Sequence, residues 1–232
     1  MWGKLVIASG AALALGAVVV TPAQGSTVVA MWGMNEKAGS HVLVDSGPNH
    51  LNGTIGSHVL LSGTAHTFPS IRRGTGGTVD PQHLDLVSSP MLNPGTATFT
   101  VTFRLRVPSV AASSGNVMQK GQSGTVGGFW KVQLDDGQGK ILCSFVSPTG
   151  AGSVWNPKII ADNQWHVVTC QRTPTYVATI VDGVSATIKH QVGNISNTWP
   201  LSIGGKSSCT ATKGHDCDYF IGNIDYVEVL KG

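Results

Sequence analysis

The sequence predicts an all-β protein, a two-sheet antiparallel jelly-roll sandwich, on three observations. First, hydrophobicity alternates with period two. From Ala97 to Val107 every odd position is apolar and every even position is Thr or Arg, as in a strand with one buried and one wet face. Second, turn residues punctuate the chain, with 30 Gly and many Ser and Thr between short apolar runs. Third, only 12% of residues are charged, and the acids are ten Asp and two Glu (Glu36 and Glu228), whereas an ordinary globular chain is about 25% charged. The solvent faces of a coiled coil or helical bundle need more Glu, Lys and Leu than this. A hydrophobic content of 41% at a net charge of +3 excludes general disorder. No basic run exceeds Arg72-Arg73, so no nucleic-acid footprint is expected.

Taken in order, residues 1–25 read as a signal peptide. Lys4 supplies a basic start, Leu5 to Val20 an apolar run broken by Ser9, and Ala23 and Gly25 the small residues at −3 and −1. The run has 16 residues, short of the about 20 that a membrane span requires, and no later segment is a candidate span. Residues 26–232 then form one domain. Its strand-like runs are Thr27–Met34, His83–Val87, Ala97–Val107, Gly128–Leu134, Lys140–Val146, Gln164–Arg172, Tyr176–Val181, Val184–Lys189, Leu201–Gly204 and Tyr219–Leu230. Pro108 ends the central run, since it cannot donate to a ladder. Asp182-Gly183 between alternating runs is a strong hairpin signal, and Asp136-Gly137-Gln138-Gly139 joins another pair. Gly152 to Pro157, with Trp155 inside it, reads as a loop. No amphipathic helix, internal repeat or interdomain linker is visible.

Export implies oxidised cysteines. The four are Cys143, Cys170, Cys209 and Cys217, and an even count in an exported chain reads as disulfides, with three pairings open. Cys209 and Cys217 flank a polar stretch and would staple it, which leaves Cys143 to join Cys170 between neighbouring strands. A zinc site is the competing reading, because His215 precedes Cys217 by two, although no C-x₂-C spacing supports it.

Several stretches, in this order, resemble a laminin G–like jelly roll of the concanavalin A-like lectin/glucanase superfamily. Met31-Trp32-Gly33-Met34-Asn35-Glu36 is similar to the family's opening strand. Val44-Asp45-Ser46-Gly47 through Gly53 resembles its D-x-S-G-x-x-x-x-G turn. Leu92-Asn93-Pro94-Gly95 leads into the central strand, Gln164-Trp165-His166-Val167-Val168 resembles W-H-x-V, and Gly222-Asn223-Ile224-Asp225-Tyr226-Val227 the closing G-x-I-D-x-V strand. The resemblance spans about residues 30 to 230 and implies the fold. It leaves function wide, because this fold hosts lectins, adhesion modules, hydrolases and lyases.

The resemblance also implies a structural calcium, held by Asp45 and Asp225 with Asn49 and Asn52 as further oxygen donors; the bland alternative is an Asx turn at Asp45. For a glycan, exposed aromatics beside polar groups are wanted. Trp155 is the first candidate, then Trp130 and Tyr219, together with Arg104 and Arg106 on the wet face of the central strand. Trp165 is read as core packing and His166 as facing the other way. No paired-carboxylate strand of the hydrolase type exists. The expectation is therefore a secreted, non-catalytic module that binds polysaccharide or another glycan. The alternatives are a lyase-like enzyme using residues such as Arg104, Arg106, His83, Gln133 and Tyr176, or a protein-adhesion module.

Overall fold

A computed structural model describes residues 25–70, 81–109, 115–135, 137–208 and 217–232. Their strands are β1 (Thr27–Trp32), β2 (Val42–Leu43), β3 (Gly53–Ile55), β4 (Leu60–Leu61), β5 (His66–Phe68), β6 (Asp85–Val87), β7 (Phe99–Arg106), β8 (Gly115–Lys120), β9 (Phe129–Leu134), β10 (Ile141–Ser147), β11 (Gly150–Trp155), β12 (Trp165–Arg172), β13 (Tyr176–Val181), β14 (Val184–Lys189), β15 (Leu201–Ile203) and β16 (Gly222–Lys231). Short 3₁₀ turns at Pro81–His83 and Pro90–Leu92 are the only helical elements among the described residues.

Sheet I runs β14-β13-β12-β7-β16-β5-β4, with β1 also paired to β16; sheet II runs β11-β10-β9-β8-β15-β6-β3-β2. The neighbours pair antiparallel, including the long-range partners β7 with β16 and β8 with β15. Hairpin neighbours mixed with such distant ones make the jelly roll the sequence predicts. Alternation drives it: on β7, Phe99, Val101, Phe103 and Leu105 are fully buried and face the opposite sheet's Trp130, Val132, Phe145 and Leu201 in one core. The Asp182-Gly183 hairpin forms as expected, with positive φ at both residues (46° and 81°), the backbone that a tight hairpin turn demands.

Cys143 and Cys170 are disulfide-bonded, with Cα atoms 5.6 Å apart. The expected setting needs correction. Cys143 lies on β10 of sheet II and Cys170 on β12 of sheet I, so the bridge crosses the core between sheets and does not link neighbouring strands. The pairing of Cys209 with Cys217, the Asp136 turn and the leader (Gly25 apart) lie outside the described residues. No helix among the described residues is long and apolar enough to cross a membrane.

Two buried cations brace one end of the sandwich. Arg172 donates to the carbonyls of Gly95, Ala97 and Val192, and Lys120 to those of Asn197 and Trp199. Burial pushes the Lys120 amine down to about 8.

Candidate functional site

Each sheet turns one face away from the core, and the two outer faces differ in chemistry. On sheet II, strand register aligns two rows of side chains. In one row Trp155, Leu142, Gln133 and Asn116 stand side by side on β11, β10, β9 and β8. In the next, Ser153, Ser144, Lys131, Gln119 and Ser202 continue onto β15. Residues directly opposite one another in antiparallel strands share a face. Ser144 and Ser153 hydroxyls lie 2.7 Å apart. Lys131 Nζ donates to Gln133 Oε1 at 2.6 Å, and Asn116 Nδ2 to Gln119 Oε1 at 2.7 Å. Asn116 Oδ1 and Gln119 Nε2 are buried and find no hydrogen-bond partner among the described residues. Trp155 remains 43% exposed at the outer end of its row. It lies on β11, not in the expected loop.

The other ligand candidates on this side fare differently. Trp130 is a correction: it faces the core at 1% exposure, stacks with Phe145, and donates its indole N–H to Leu92 O at 3.1 Å. It cannot offer a ring to a sugar. Tyr219 is half-buried, bridged to Asn116 and edge-on to the His83 ring at a centroid distance of 5.1 Å.

On the outer face of sheet I, Arg104 and Arg106 are together, as the alternation of β7 requires. Arg104 pairs with Asp225. Arg106 donates through Nε and a terminal nitrogen to Asn223 Oδ1, both at 3.2 Å. Both guanidinium groups lie over the Trp165 ring, 4.8 and 5.2 Å from its centroid. Trp165 is therefore not in the core. It is His166 that turns inward, 5% exposed, and Val167 that turns out at 39%. Register accounts for it: Trp165 sits opposite Arg106 and Val167 opposite Arg104, so they share the wet face of the two arginines.

The residues expected to hold calcium are otherwise engaged. Asp45 Oδ1 accepts the N–H groups of Met31 and Gly47, both at 2.7 Å, and Oδ2 that of Leu51 at 2.6 Å. Asn52 Oδ1 accepts from Asp45 N at 2.9 Å, and Asn49 donates to the Val29 carbonyl at 2.8 Å. Asp225 turns to Arg104. A carboxylate ringed by N–H donors suits a locked turn, and calcium wants six to eight oxygens. The donor set as placed does not fit that ion, and no group of three His, Cys, Asp or Glu among the described residues is poised for a metal.

Two histidine clusters escaped the sequence reading, because three of their four acids come from other segments of the chain. His66, fully buried, lies between Asp85 (2.7 Å) and Glu36 (2.8 Å). Burial pulls the imidazole down, but the hydrogen bonds to Asp85 and Glu36 outweigh it and raise it to about 9. Burial pushes Asp85 up; Glu36 is held below its usual value by His66 and the Val44 N–H despite burial. His166 similarly bridges Asp182 (2.6 Å) and Asp162 (2.9 Å). The lyase set does not converge. Arg104, Arg106 and Tyr176 belong to sheet I and Gln133 to the far face of sheet II, while His83 is 1% exposed.

Residues 82–232 match a laminin G family model described as the Concanavalin A-like lectin/glucanases superfamily. No curated protein matches the sequence. Among solved structures, domain 4 of AbnA, a GH43 extracellular arabinanase from Geobacillus stearothermophilus in complex with arabinotriose, is similar at TM-score 0.59 and 12% identity, covering 89% of this chain and 93% of that one. The botulinum neurotoxin serotype G binding domain has TM-score 0.59 and 10% identity over 88% of this chain and 47% of that one. Domains LG4-5 of the mouse laminin alpha1 chain have TM-score 0.50 and 14% identity over 71% of this chain and 40% of that one. The chain thus spans less than half the length of the laminin and neurotoxin structures, and at these identities the likeness is one of fold.

Proposed function

The chain belongs to the concanavalin A-like superfamily as a laminin G–like member, and from that premise we propose that it is an extracellular, non-catalytic carbohydrate-binding module whose glycan lies on the outer face of sheet II. The observation that carries this is Trp155, 43% exposed at the end of a row that runs through Leu142 to Gln133. A half-exposed indole with Ser153 and Ser144 in the adjoining row, and Gln133 and Lys131 two strands on, offers an apolar plane for a sugar ring and polar atoms for its hydroxyls. The similar arabinanase domain was solved with arabinotriose, which supports arabinan as one probe. The disulfide across the core supports an oxidising compartment. A lyase reading loses support because its residues are scattered over opposite faces.

A polysaccharide panel scored for retention and for unsaturated products tests the proposal. Retention without products, weakened at least tenfold by Trp155→Ala, is expected. Product release would sink the non-catalytic reading, and no retention on any glycan would turn the assignment to protein adhesion.

A further inference from the structure

At one end of the sandwich the loop between β8 and β9 faces the segment that leads into β15. Between them lies a cavity of about 310 Å³, with Gln122, Ser123, Thr125, Val126, Thr198 and Trp199 in its wall. That volume is at the small end of the range for ligand sites, about 300–1,000 Å³, and suits one sugar ring better than a chain. No charged side chain lines it. Phe129, the outer-face residue of β9 nearest this loop, is four residues from Gln133 along the strand, about 13 Å. Trp155 stands two strands further across, in the Gln133 row. A ring seated on Trp155 therefore does not reach the cavity.

The walls are held in place from behind. Buried Lys120 donates to the carbonyls of Asn197 and Trp199. Asn197 Oδ1 accepts from Trp199 N at 3.0 Å, and its Nδ2 donates to the Gly128 carbonyl at 2.9 Å. Ser196 N donates to the Gly127 carbonyl at 2.9 Å. Within the loop, Gln122 N donates to Thr125 Oγ1 and Thr125 N to Gln122 O, both at 2.9 Å. Gly127 has a φ of 86°, and a Cβ there would stand 1.8 Å from the Ser196 carbonyl oxygen, so only glycine lets the two walls come this close. A site shaped before its ligand arrives loses little freedom on binding.

The polar groups of the lining are unspent. The Gln122 side-chain amide and the Ser123 and Thr198 hydroxyls make no hydrogen bond among the described residues. Nor does the indole N–H of half-buried Trp199, whereas buried Trp32 and Trp130 give theirs to the carbonyls of Leu51 and Leu92. Val126 adds an apolar side chain that is 93% exposed. An indole and a valine beside amide and hydroxyl groups, without charge, match a ring that is apolar on its faces and hydroxylated at its rim. We infer that this cavity is a second sugar site, separate from the outer face of sheet II, and that it takes a single neutral sugar ring such as a glycan chain end presents. It is built from its own walls and does not require Trp155.

The test is an NMR titration of the isotope-labelled protein with methyl α-L-arabinofuranoside, methyl β-D-galactopyranoside, methyl β-D-glucopyranoside and sodium glucuronate. At least one neutral glycoside is expected to shift the Trp199 indole signal and the amides of Gln122 to Val126 saturably. A dissociation constant of about 1 mM is what a molecule of that size reaches. The shifts are expected to persist in Trp155→Ala and to weaken at least tenfold in Trp199→Ala. Thr198→Arg, at an exposed residue, blocks the cavity without touching the core; it is expected to abolish the shifts while leaving the melting midpoint in place. Full binding by Thr198→Arg, or tighter binding of glucuronate than of every neutral glycoside, overturns the inference. Shifts confined to Trp155 and the sheet II rows also overturn it but leave the sheet II site standing. No shift with any of the four sugars overturns it too, and the polysaccharide panel then decides the sheet II site separately.

Discussion

The outer faces of the two sheets are built from the same alternation and come to opposite ends. On sheet I the two conspicuous cations have found neighbours: Arg104 has Asp225, Arg106 has Asn223, and both share Trp165, although Arg104 Nε is buried with no hydrogen-bond partner among the described residues. On sheet II an exposed indole, an uncompensated lysine and two orphaned amide atoms stand together. Arginine beside tryptophan is the more eye-catching composition, yet it is the closed surface. Whether charges are already paired separates a solvated face from a receptive one more sharply than residue type does.

The interior holds a buried cation paired with two acids, and breaking that cluster gives the largest expected effect. His66→Leu would leave Asp85 and Glu36 buried without their cation and is expected to cost about 3–5 kcal/mol, read by urea unfolding. The same cluster sets a pH dependence. His66 rises from an ordinary 6.5 to about 9, so its contribution is full below 6.5 and fades as pH climbs through 9. Glu36 is lowered, so its contribution holds at neutral pH and is lost as pH falls below the usual carboxylate range. Stability should peak in mildly acidic solution. A melting midpoint unchanged between pH 6 and 9.5 would contradict the arrangement.

Next in size is the receptive face. Trp155→Ala is expected to weaken glycan binding by about 1.5 kcal/mol, roughly tenfold, while the melting midpoint moves little because the ring is half in water. Equal retention by the variant would dissolve the contrast between the two faces.

The closed face should respond least. Asp225→Asn or Arg104→Gln is expected to change stability by under about 1 kcal/mol, since the pair is partly exposed, and to leave glycan retention alone. A fall in retention would mean that sheet I also binds. Chelator is expected to shift the melting midpoint by nothing measurable, because Asp45 is already held by three backbone N–H groups. A clear drop would restore calcium.

The fold was legible where one face is buried and the other wet. The β7 alternation, the Asp182-Gly183 hairpin and the ends of β13 and β14 follow from local chemistry. β8 was not legible. A bulge between Asn116 and Met118 interrupts its period, and Lys120 turns inward onto carbonyls, so its residues lack alternation. β11 was read as a loop because Gly150, Ala151 and Gly152 carry no strand preference; Gly152 is needed where Val177 leaves no room for a side chain. At the site, Trp155 and the β7 arginines could be picked out singly. The grouping of Asn116, Gln119, Lys131 and Gln133 could not, since it exists only through the register of β8 on β9.

The bridge between Cys143 and Cys170 sets a route for mechanical load. Cys143 immediately precedes Ser144 on β10, and Cys170 pairs across to Val101 on β7. A pull on the outer face of sheet II therefore passes directly into the middle of sheet I through a covalent tie. The two layers cannot shear apart one hydrogen bond at a time. They must yield together, as a rivet makes two plates do.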